Sequence, residues 1–478
     1  MGSRGCRPHA LVIGLPHKGH WPPMKIFIRQ LATMHISITV LGTPDEVSEL
    51  QQLKDDGVFD SAHYVELVAA WSNPPKKRVL SSPETLAMMK QEFWAKPALM
   101  ERLLAQIAAS SGPTFLVADM FLYWTQDLAD QLGIPRYTFF TSPTTFALYI
   151  LHIPELFAYD PSDTKKPDVV VNLQGMEVFR ASDICTALFE FPETFRLHSK
   201  YIRKAAGILI NCWESYEVAE VAALHSCLKK VVGDAKVPSI HLIGPLQYLP
   251  VNRAVEDKKE VTVETDSSGC LRFLDTQTTS SVLYICFGSK IELDEASITE
   301  LARGLELSEV PFLWILPRPD RFRTVPTFDV AQFLPQGFLL RTKGRGLVCS
   351  NWVPQPAILA HSSVGGFISH CGWNSLVESL IDGIAVIPWP YRAEQFMNAR
   401  IVVDVAKVGI RIQRTPDGHI VAEGIAKAVR TLFCSDEGKE TKQRMQELKR
   451  TVEIAVGEGG SSLKALEAFH AEVSSLSD

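Results

Sequence analysis

A cluster of polar and aromatic residues follows a short apolar run in the second half of this chain. The run 366–369 is followed by His-Cys-Gly-Trp-Asn-Ser at 370–375, where a helical pattern begins. A glycine turn that leads into a helix N-terminus presents backbone N–H groups without intrahelical partners and the positive end of the helix dipole. Both features favour a bound diphosphate, so the sequence predicts a phosphate-binding loop at this point.

The segment around this loop is far more specific than a glycine motif. Residues 352–395 carry W-x-P-Q, I-L-x-H, H-C-G-W-N-S, a glutamate three residues further on, W-P and a closing E-Q. This segment resembles the signature box of the plant secondary-product UDP-glycosyltransferases, the family 1 glycosyltransferases (PSPG box). Two positions depart from the family pattern, with Ala385 where Pro is usual and Glu394 where Asp is common. Neither change removes a hydrogen-bonding type, so the resemblance implies a UDP-sugar site.

By resemblance, the box residues divide among the four parts of a UDP-sugar. The resemblance implies that Trp352 and the backbone of Val353 bind uracil, and that Gln355 and Glu378 bind the ribose. His370, Asn374 and Ser375, with Ser289 from outside the box, are implied for the diphosphate. The residues implied for the sugar are Trp373, Glu394 and Gln395.

Some of these residues have other interpretations. Trp352 could be a lid over the core, and Ser375 with Glu378 also fits a helix capping box, which needs no ligand. His361 is expected to be a structural hydrogen-bonding residue. In the resembling family a terminal Gln goes with glucose and His with galactose, so Gln395 implies UDP-glucose as the donor.

A candidate base lies near the N-terminus. His20 follows Gly19 after the first predicted strand, at the strand end where α/β sheets bind their ligands. The resembling family has its catalytic histidine directly after a glycine at this point, although Lys18 replaces a frequent Gln. His17 is a neighbouring alternative. Transfer of a sugar to a hydroxyl needs a base, and histidine titrates near neutral pH.

Asp119 is the candidate partner of this histidine. It ends the apolar run 114–118 and matches the family position of the carboxylate that fixes the tautomer and stabilises the imidazolium. The alternative is that Asp119 caps a helix starting near Tyr123, a common role for aspartate.

The elements that would position these residues alternate between short apolar runs and helical patterns. Strands are predicted at 10–15, 37–41, 64–68, 115–117, 137–141, 207–210, 282–287, 312–316, 346–349, 366–369 and 385–388, and amphipathic segments include 25–34 and 83–109. Continuous apolar strands alternating with helices predict parallel, doubly wound sheets. The resemblance implies the GT-B fold, an α/β architecture of two Rossmann-like domains facing across a cleft.

The domain boundaries follow from composition. We expect an N-terminal domain at 1–247, a polar linker at 248–268 and a C-terminal domain at 269–460. The resemblance implies that the first domain binds the acceptor and the second the UDP-sugar. The resemblance implies that the last helix, within 461–478, packs back on the first domain.

Composition excludes several classes of protein. Of 478 residues, 46% are hydrophobic and 21% charged, which is ordinary for a folded enzyme, and a net charge of −6 argues against nucleic acid as a partner. No apolar segment is long enough for a membrane span, and the first apolar run is too short for a signal peptide. Nine scattered cysteines without a C-x-x-C pair suit a reduced, cytoplasmic protein, and we expect a monomer.

The resemblance, together with these residues, implies an inverting O-glucosyltransferase that transfers glucose from UDP-glucose to a small phenolic acceptor such as a flavonoid or phenylpropanoid. No D-x-D pair follows a strand, so neither a metal nor another cofactor is expected. Alternatives are C-glycosylation or glucose-ester formation within the same family, and, in another class, a non-catalytic UDP-sugar-binding protein. The acceptor pocket is expected on loops of the first domain that carry Phe121, Phe146, Leu188 and Phe191.

Overall fold

The computed structural model describes residues 7–55, 65–70, 87–91, 97–108, 112–156, 170–173, 179–180, 183–185, 187–233, 236–249, 266, 268–288, 291–318, 329–351, 353–415 and 418–476. The chain separates into two compact units. Unit 1 comprises Met1–Ala181, Thr186–Lys258 and Glu453–Asp478, and unit 2 comprises Ser182–Cys185 and Lys259–Val452.

Parallel strands form the centre of unit 1. In the described residues the strands are β1 His9–Ile13, β2 Ser37–Gly42, β3 Val65–Ala69, β4 Phe115–Asp119, β5 Arg136–Phe140, β6 Val170–Val171, β7 Phe179–Arg180, β8 Gly207–Ile210 and β9 Ser239–Leu242. Seven of them form one parallel sheet in the order β3-β2-β1-β4-β5-β8-β9, while β6 and β7 pair separately as an antiparallel ribbon.

Both faces of this sheet are covered by helices. Along β1, Ala10 and Val12 belong to one hydrophobic cluster, and the intervening Leu11 and Ile13 belong to another. The helices in this part of the chain are α1 Trp21–Thr33, α2 Pro44–Asp55, α3 Pro97–Ala108, α4 Thr125–Leu132, α5 Thr144–Leu151, α6 Ile153–Leu156, α7 Ala187–Glu190, α8 Pro192–Ile202 and α9 Val218–Val232, with 3-10 turns at Glu214–Tyr216 and Leu246–Tyr248. Burial on both faces explains why the strands are continuously apolar.

The order of strands reverses beside β1. The chain runs from β1 outward to β2 and β3, then returns to the other side of β1 with β4. In parallel register, Ile13 lies opposite Ala118, so the loops that leave β1 and β4 begin next to each other. Such a switch point is where open α/β sheets bind ligands.

Unit 2 repeats this plan on a smaller scale. Its strands are β10 Val282–Cys286, β11 Phe312–Ile315, β12 Gly346–Cys349, β13 Val364–Ser369 and β14 Val386–Pro388, all parallel in the order β12-β11-β10-β13-β14. The helices are α10 Cys270–Asp275, α11 Glu295–Ser308, α12 Phe338–Arg341, α13 Gln355–Leu359, α14 Trp373–Asp382, α15 Gln395–Arg400, α16 Ala422–Cys434 and α17 Asp436–Val456, with a 3-10 turn at Val330–Phe333 and a π-helical turn at Ile401–Val405. The residues of α17 from Glu453 onward belong to unit 1. In this sheet the strand order reverses between the neighbouring strands β10 and β13.

The C-terminal helix α18, Ser461–Ser474, belongs to unit 1. Phe469 lies in the same buried cluster as Phe27, and its ring centroid is 5.2 Å from that of Tyr137. Glu472 accepts a hydrogen bond from the Tyr137 hydroxyl at 2.9 Å and lies 3.0 Å from Nε2 of His241. The helix is therefore held to the sheet of unit 1 by both apolar and polar contacts.

These two parallel sheets confirm the predicted α/β fold class. Each predicted strand overlaps an observed one, with ends displaced by at most two residues. The helix predicted at 25–34 begins earlier, at Trp21, because prolines at its first positions suit a first turn whose N–H groups have no intrahelical acceptor. Within the predicted helical segment 83–109, the described helical residues are 87–91 and 97–108. Residues 250–265 and 267 of the predicted linker lie outside the described residues.

Candidate active site

The loop that carries His20 joins β1 to α1 by a tight turn. The backbone N–H groups of His20 and Trp21 both donate to the carbonyl of His17 at 2.8 Å, and the Gly19 N–H donates to Nδ1 of His17. Gly14 lets the chain leave the strand against the Trp21 ring, since a Cβ there would lie 2.8 Å from that ring. This turn places His20 immediately before the helix, at its N-cap.

The structure brings His20 and Asp119 together across the switch point. Nδ1 of His20 lies 2.8 Å from Oδ2 of Asp119, and the aspartate side chain is 0% exposed while that of His20 is 13% exposed. The other carboxylate oxygen, Oδ1, accepts a hydrogen bond from the backbone N–H of Phe121 at 3.0 Å. The capping interpretation of Asp119 is wrong, because α4 begins at Thr125 with Trp124 at its N-cap and no side-chain cap.

This contact determines which tautomer of the His20 imidazole is favoured. A carboxylate accepts hydrogen bonds, so Asp119 favours the tautomer with hydrogen on Nδ1 and the lone pair on Nε2. Thr141 lies on the same side, with Oγ1 at 3.2 Å from Nδ1. Sequence reasoning missed Thr141, although its position just after β5, the strand beside β4, was an available signal.

Of the four predicted acceptor-pocket residues, Phe121 lies beside His20. Its ring centroid is 5.2 Å from that of the histidine, at an interplanar angle of 65°. Phe146 is buried and stacks on Tyr149 at 5.7 Å, Leu188 is buried on α7, and Phe191 is partly buried at the N-cap of α8. Contact with an acceptor stays a prediction for all four.

A buried acid near the pair was also missed. Glu46 is 4% exposed, and its Oε2 accepts hydrogen bonds from the N–H of Thr43 at 2.8 Å and from its hydroxyl at 3.2 Å. Burial raises the pKa of Glu46 to about 8, against the hydrogen bonds from Thr43 and with help from the charges of Glu49 and Asp119. The spacing T-x-x-E before α2 is a capping-box signal that could have located it.

In unit 2, His370 lies in the predicted phosphate loop between two glycines. Cβ atoms at Gly288 and Gly372 would lie 3.0 Å and 2.5 Å from its ring, so larger residues would displace the imidazole. Gly288 is near because β10 and β13 are neighbours, with Cys286 opposite Ser369. Burial, then the charge of Arg392, lowers the pKa of His370 to about 4, so the ring is neutral near pH 7.

The backbone of this loop is fixed by side chains. Cys371 has a φ of 64°, which is uncommon for a residue other than glycine, and its N–H donates to Oγ of Ser369 at 3.1 Å. Asn398 on α15 donates from Nδ2 to the Cys371 carbonyl at 3.0 Å. The helix α14 then begins at Trp373, so the backbone of Asn374 and Ser375 lies in its first turn.

Gln355 and Glu378, both implied for ribose, are in direct contact. Nε2 of Gln355 donates to Oε2 of Glu378 at 2.6 Å and to Oγ of Ser375 at 3.0 Å, while its Oε1 accepts from the Tyr284 hydroxyl at 3.2 Å. The capping-box interpretation of Ser375 and Glu378 is wrong, since Gly372 is the N-cap of α14 without a side-chain cap. Both side chains are instead gathered around the Gln355 amide.

The two amino acids at the end of the box that were predicted to contact the donor sugar lie at the start of α15. Glu394 is the N-cap, and Gln395 is the first residue of the helix and is buried. The Oε1 atom of Gln395 accepts hydrogen bonds from the N–H groups of Tyr391 and Arg392 at 3.0 Å and 3.1 Å. Its amide is thereby oriented with the NH₂ group as the end that can donate to a ligand.

Four further residues were predicted to bind the UDP-sugar. Val353 is buried, and its carbonyl accepts from the Gln355 N–H at 3.0 Å. Ser289 and Trp352 lie outside the described residues. Trp373 is buried at the start of α14.

His361 is tied into the protein. Its Nδ1 lies 2.9 Å from Oγ of Ser363, and its Nε2 lies 3.1 Å from Oδ1 of Asp275. Within the described ranges, no three His, Cys, Asp or Glu side chains are grouped closely enough to share a metal ion. In that same part of the chain, no helix is both long and apolar enough to cross a membrane.

Known proteins resemble this chain in sequence and in fold. The family model described as UDP-glucoronosyl and UDP-glucosyl transferase matches residues 231–451. UDP-glycosyltransferase 88B1 of Stevia rebaudiana is 34% identical over 370 residues, covering 77% of this chain and 77% of that protein. Scopoletin glucosyltransferase of Nicotiana tabacum is 31% identical over 484 residues, covering 96% of each chain.

A solved structure gives the same result at the level of the fold. The structure of Phytolacca americana UGT2 complexed with UDP-2fluoro-glucose and pterostilbene matches with a TM-score of 0.78 and 28% identity, covering 98% of this chain and 99% of that one. The chain therefore belongs to the plant UDP-glycosyltransferases of family 1, as its box predicted. It is an enzyme with the GT-B fold, and the family prediction is confirmed.

Proposed function

We propose that the protein is an inverting, metal-independent glucosyltransferase that transfers glucose from UDP-glucose to the hydroxyl of a small phenolic acceptor. The observation that carries this proposal is the 2.8 Å contact between His20 and Asp119 at the carboxyl ends of two neighbouring strands. A protein that only bound UDP-sugars would not need a buried carboxylate to orient a histidine.

The proposed chemistry uses the two nitrogens of His20 differently. Asp119 holds the hydrogen on Nδ1, so Nε2 can accept the proton of the acceptor hydroxyl. The acceptor oxygen attacks the anomeric carbon from the face opposite the UDP leaving group, the bond to UDP breaks, and a β-glucoside results. Asp119 stabilises the imidazolium that forms, because it places a negative charge 2.8 Å from Nδ1.

Unit 2 is proposed to hold the donor. The pair Gln355 and Glu378 offers a carboxylate to the ribose hydroxyls, and charged acceptors make stronger hydrogen bonds than neutral ones. The first turn of α14 directs backbone N–H groups toward the diphosphate. Neutral His370 beside it can add one hydrogen bond without a second positive charge.

Charge on the leaving UDP is then stabilised without a metal. The N-terminus of α14 provides a positive dipole end, which is the group we propose in place of a divalent ion. Activity should therefore persist in excess EDTA. Loss of activity that magnesium or manganese restores would contradict this part of the proposal.

Glucose is favoured by the orientation of Gln395. Its carbonyl oxygen is held by the N–H groups of Tyr391 and Arg392, so its NH₂ group meets the sugar as a donor in one fixed geometry. The relative from Nicotiana tabacum is named a glucosyltransferase, and the solved structure from Phytolacca americana contains UDP-2fluoro-glucose.

A phenolic acceptor fits the base. Imidazole is a weak base, and a phenol with a pKa of about 10 loses its proton more readily than an aliphatic alcohol. The names of the relatives agree with this, since one is a scopoletin glucosyltransferase and the solved structure contains pterostilbene.

The experiment that tests the proposal is His20→Ala, with His17→Ala as the matched control in the same loop. Turnover of UDP-glucose with a panel of phenols should fall about 10²–10⁴-fold for His20→Ala, the usual contribution of a general base. His17→Ala should lose less than about tenfold, since His17 contributes an acceptor for the Gly19 N–H and a ring whose centroid is 5.5 Å from that of His20, whereas His20 makes the Asp119 contact. UDP affinity should match wild type in both variants. A collapse of UDP affinity in His20→Ala, or equal losses in the two variants, would refute the base assignment.

A further inference from the structure

A small cavity lies inside unit 1, behind the loop that follows Asp119. Two of its lining side chains, Arg136 and His198, are charged or titratable and almost fully buried, at 2% and 4% exposure. Tyr123, Thr138 and Tyr201 complete its polar lining. The space open to the centre of a water molecule is about 10 Å³, which is room for a single water.

Arg136 lines this cavity and has one buried donor without a partner among the described residues. Its Nε donates to Oε1 of Gln126 at 2.9 Å, and its Nη2 donates to the carbonyl of Tyr201 at 2.9 Å. Nη1 is buried and has no hydrogen-bond partner among the described residues. Burial lowers the pKa of Arg136 to about 10, so the guanidinium is still charged near pH 7 and its remaining donor needs an acceptor.

His198 presents the complementary group. Its Nε2 lies 3.2 Å from the carbonyl oxygen of Phe121, and because a carbonyl can only accept, the hydrogen is on Nε2. Burial lowers the pKa of His198 to about 4, so the ring is neutral and Nδ1 carries a lone pair. This buried Nδ1 has no described partner either. One water that accepts from Arg136 Nη1 and donates to His198 Nδ1 would satisfy both atoms, whereas an anion could not donate.

Phe121 connects this cavity to the proposed catalytic pair. Its carbonyl accepts from His198, and its N–H donates to Oδ1 of Asp119 at 3.0 Å. Its ring lies between the two histidines, 4.9 Å from His198 and 5.2 Å from His20 by centroid distance. A shift of Phe121 would therefore move both an anchor of the aspartate and a ring that packs on the base.

We propose that His198 is a positioning residue for the His20–Asp119 pair, held in its Nε2–H tautomer by one buried water shared with Arg136. It acts through Phe121 and touches neither substrate nor the reacting atoms. The proposal rests on the proposed role of His20 as the base.

The test compares His198→Leu, which removes the donor, with His198→Gln, whose Nε2 can still donate to the Phe121 carbonyl. In folded variants, we expect kcat to fall about tenfold for Leu and less than about threefold for Gln, because small misplacements of catalytic groups are costly. KM for UDP-glucose should not change in either. Equal losses in both variants would show that His198 only fills space, and full activity in His198→Leu would overturn the positioning role.

A second measurement does not depend on turnover. Nitrogen-15 NMR of histidine-labelled protein should show His20 with its proton on Nδ1 in wild type and in His198→Gln, and a tautomer mixture in His198→Leu. An unchanged His20 spectrum in His198→Leu would overturn the coupling through Phe121. If His20→Ala were fully active, the proposed function would fail, while this spectrum would still decide whether His198 positions the pair. A crystal structure without water between Arg136 and His198 would refute the hydration site.

Discussion

Asp119→Asn tests the proposed mechanism with the smallest change of shape. Oδ1 of Asp119 accepts from the Phe121 N–H, so the asparagine carbonyl oxygen should keep that position. The amide NH₂ then takes the place of Oδ2, 2.8 Å from Nδ1 of His20. Because an NH₂ group donates, it favours hydrogen on Nε2, and the nitrogen meant to accept the acceptor's proton is blocked.

Two effects set the expected loss of rate. A hydrogen bond to a charged group contributes about 1.5–3 kcal/mol, so losing the stabilisation of the imidazolium alone lowers turnover by roughly 10–10²-fold. The wrong tautomer adds to this, and in serine protease triads the same Asp-to-Asn change costs about 10⁴-fold. We therefore expect kcat to fall between about 10²- and 10⁴-fold, with UDP affinity unchanged.

The assay is the rate of UDP release with UDP-glucose and a phenol, with UDP affinity measured by calorimetry. Asp275→Asn is the matched control, because it alters another aspartate–histidine contact, with His361 at 3.1 Å, that has no part in the proposed chemistry. The control should keep wild-type kcat. If Asp119→Asn kept it too, the tautomer argument would be refuted.

Two further predictions concern donor choice and pH. The wild-type kcat/KM for UDP-glucose should exceed that for UDP-galactose by at least about tenfold, because an epimer leaves buried polar groups unpaired at a cost of about 1–3 kcal/mol each. Gln395→His should reduce this ratio. Equal kcat/KM values for the two donors in wild type would refute the prediction. The raised pKa of Glu46, about 8 against 4.5, means that the folded state binds its proton more tightly, so stability falls as pH rises through this window, by at most about 1.4 kcal/mol per unit. Glu46→Gln should therefore gain melting temperature over wild type between pH 5 and pH 8, and a pH-independent difference would contradict the assignment.

Local patterns in the sequence were sufficient to predict most of the strands and to locate both candidate sites. Continuous apolar runs predicted parallel strands because both faces of such a sheet are buried. His20 and Asp119 were found because each follows a strand, and the carboxyl ends of neighbouring parallel strands meet. The box predicted a helix N-terminus within 370–375, which depends on residues adjacent in the chain, and α14 begins there at Trp373.

Tertiary structure decided what depends on contacts between distant residues. By local spacing, Ser375 and Glu378 fit a helix capping box. In the same way, Asp119 fits the N-cap of a helix that starts near Tyr123. The structure assigns these side chains to Gln355 and His20, which lie 20 to 99 residues away. The pKa of Glu46 and the placement of His198 behind Phe121 follow from burial, which no local pattern measures. Short-range spacing sets which partners a side chain can reach, but packing selects the one that satisfies each buried polar atom.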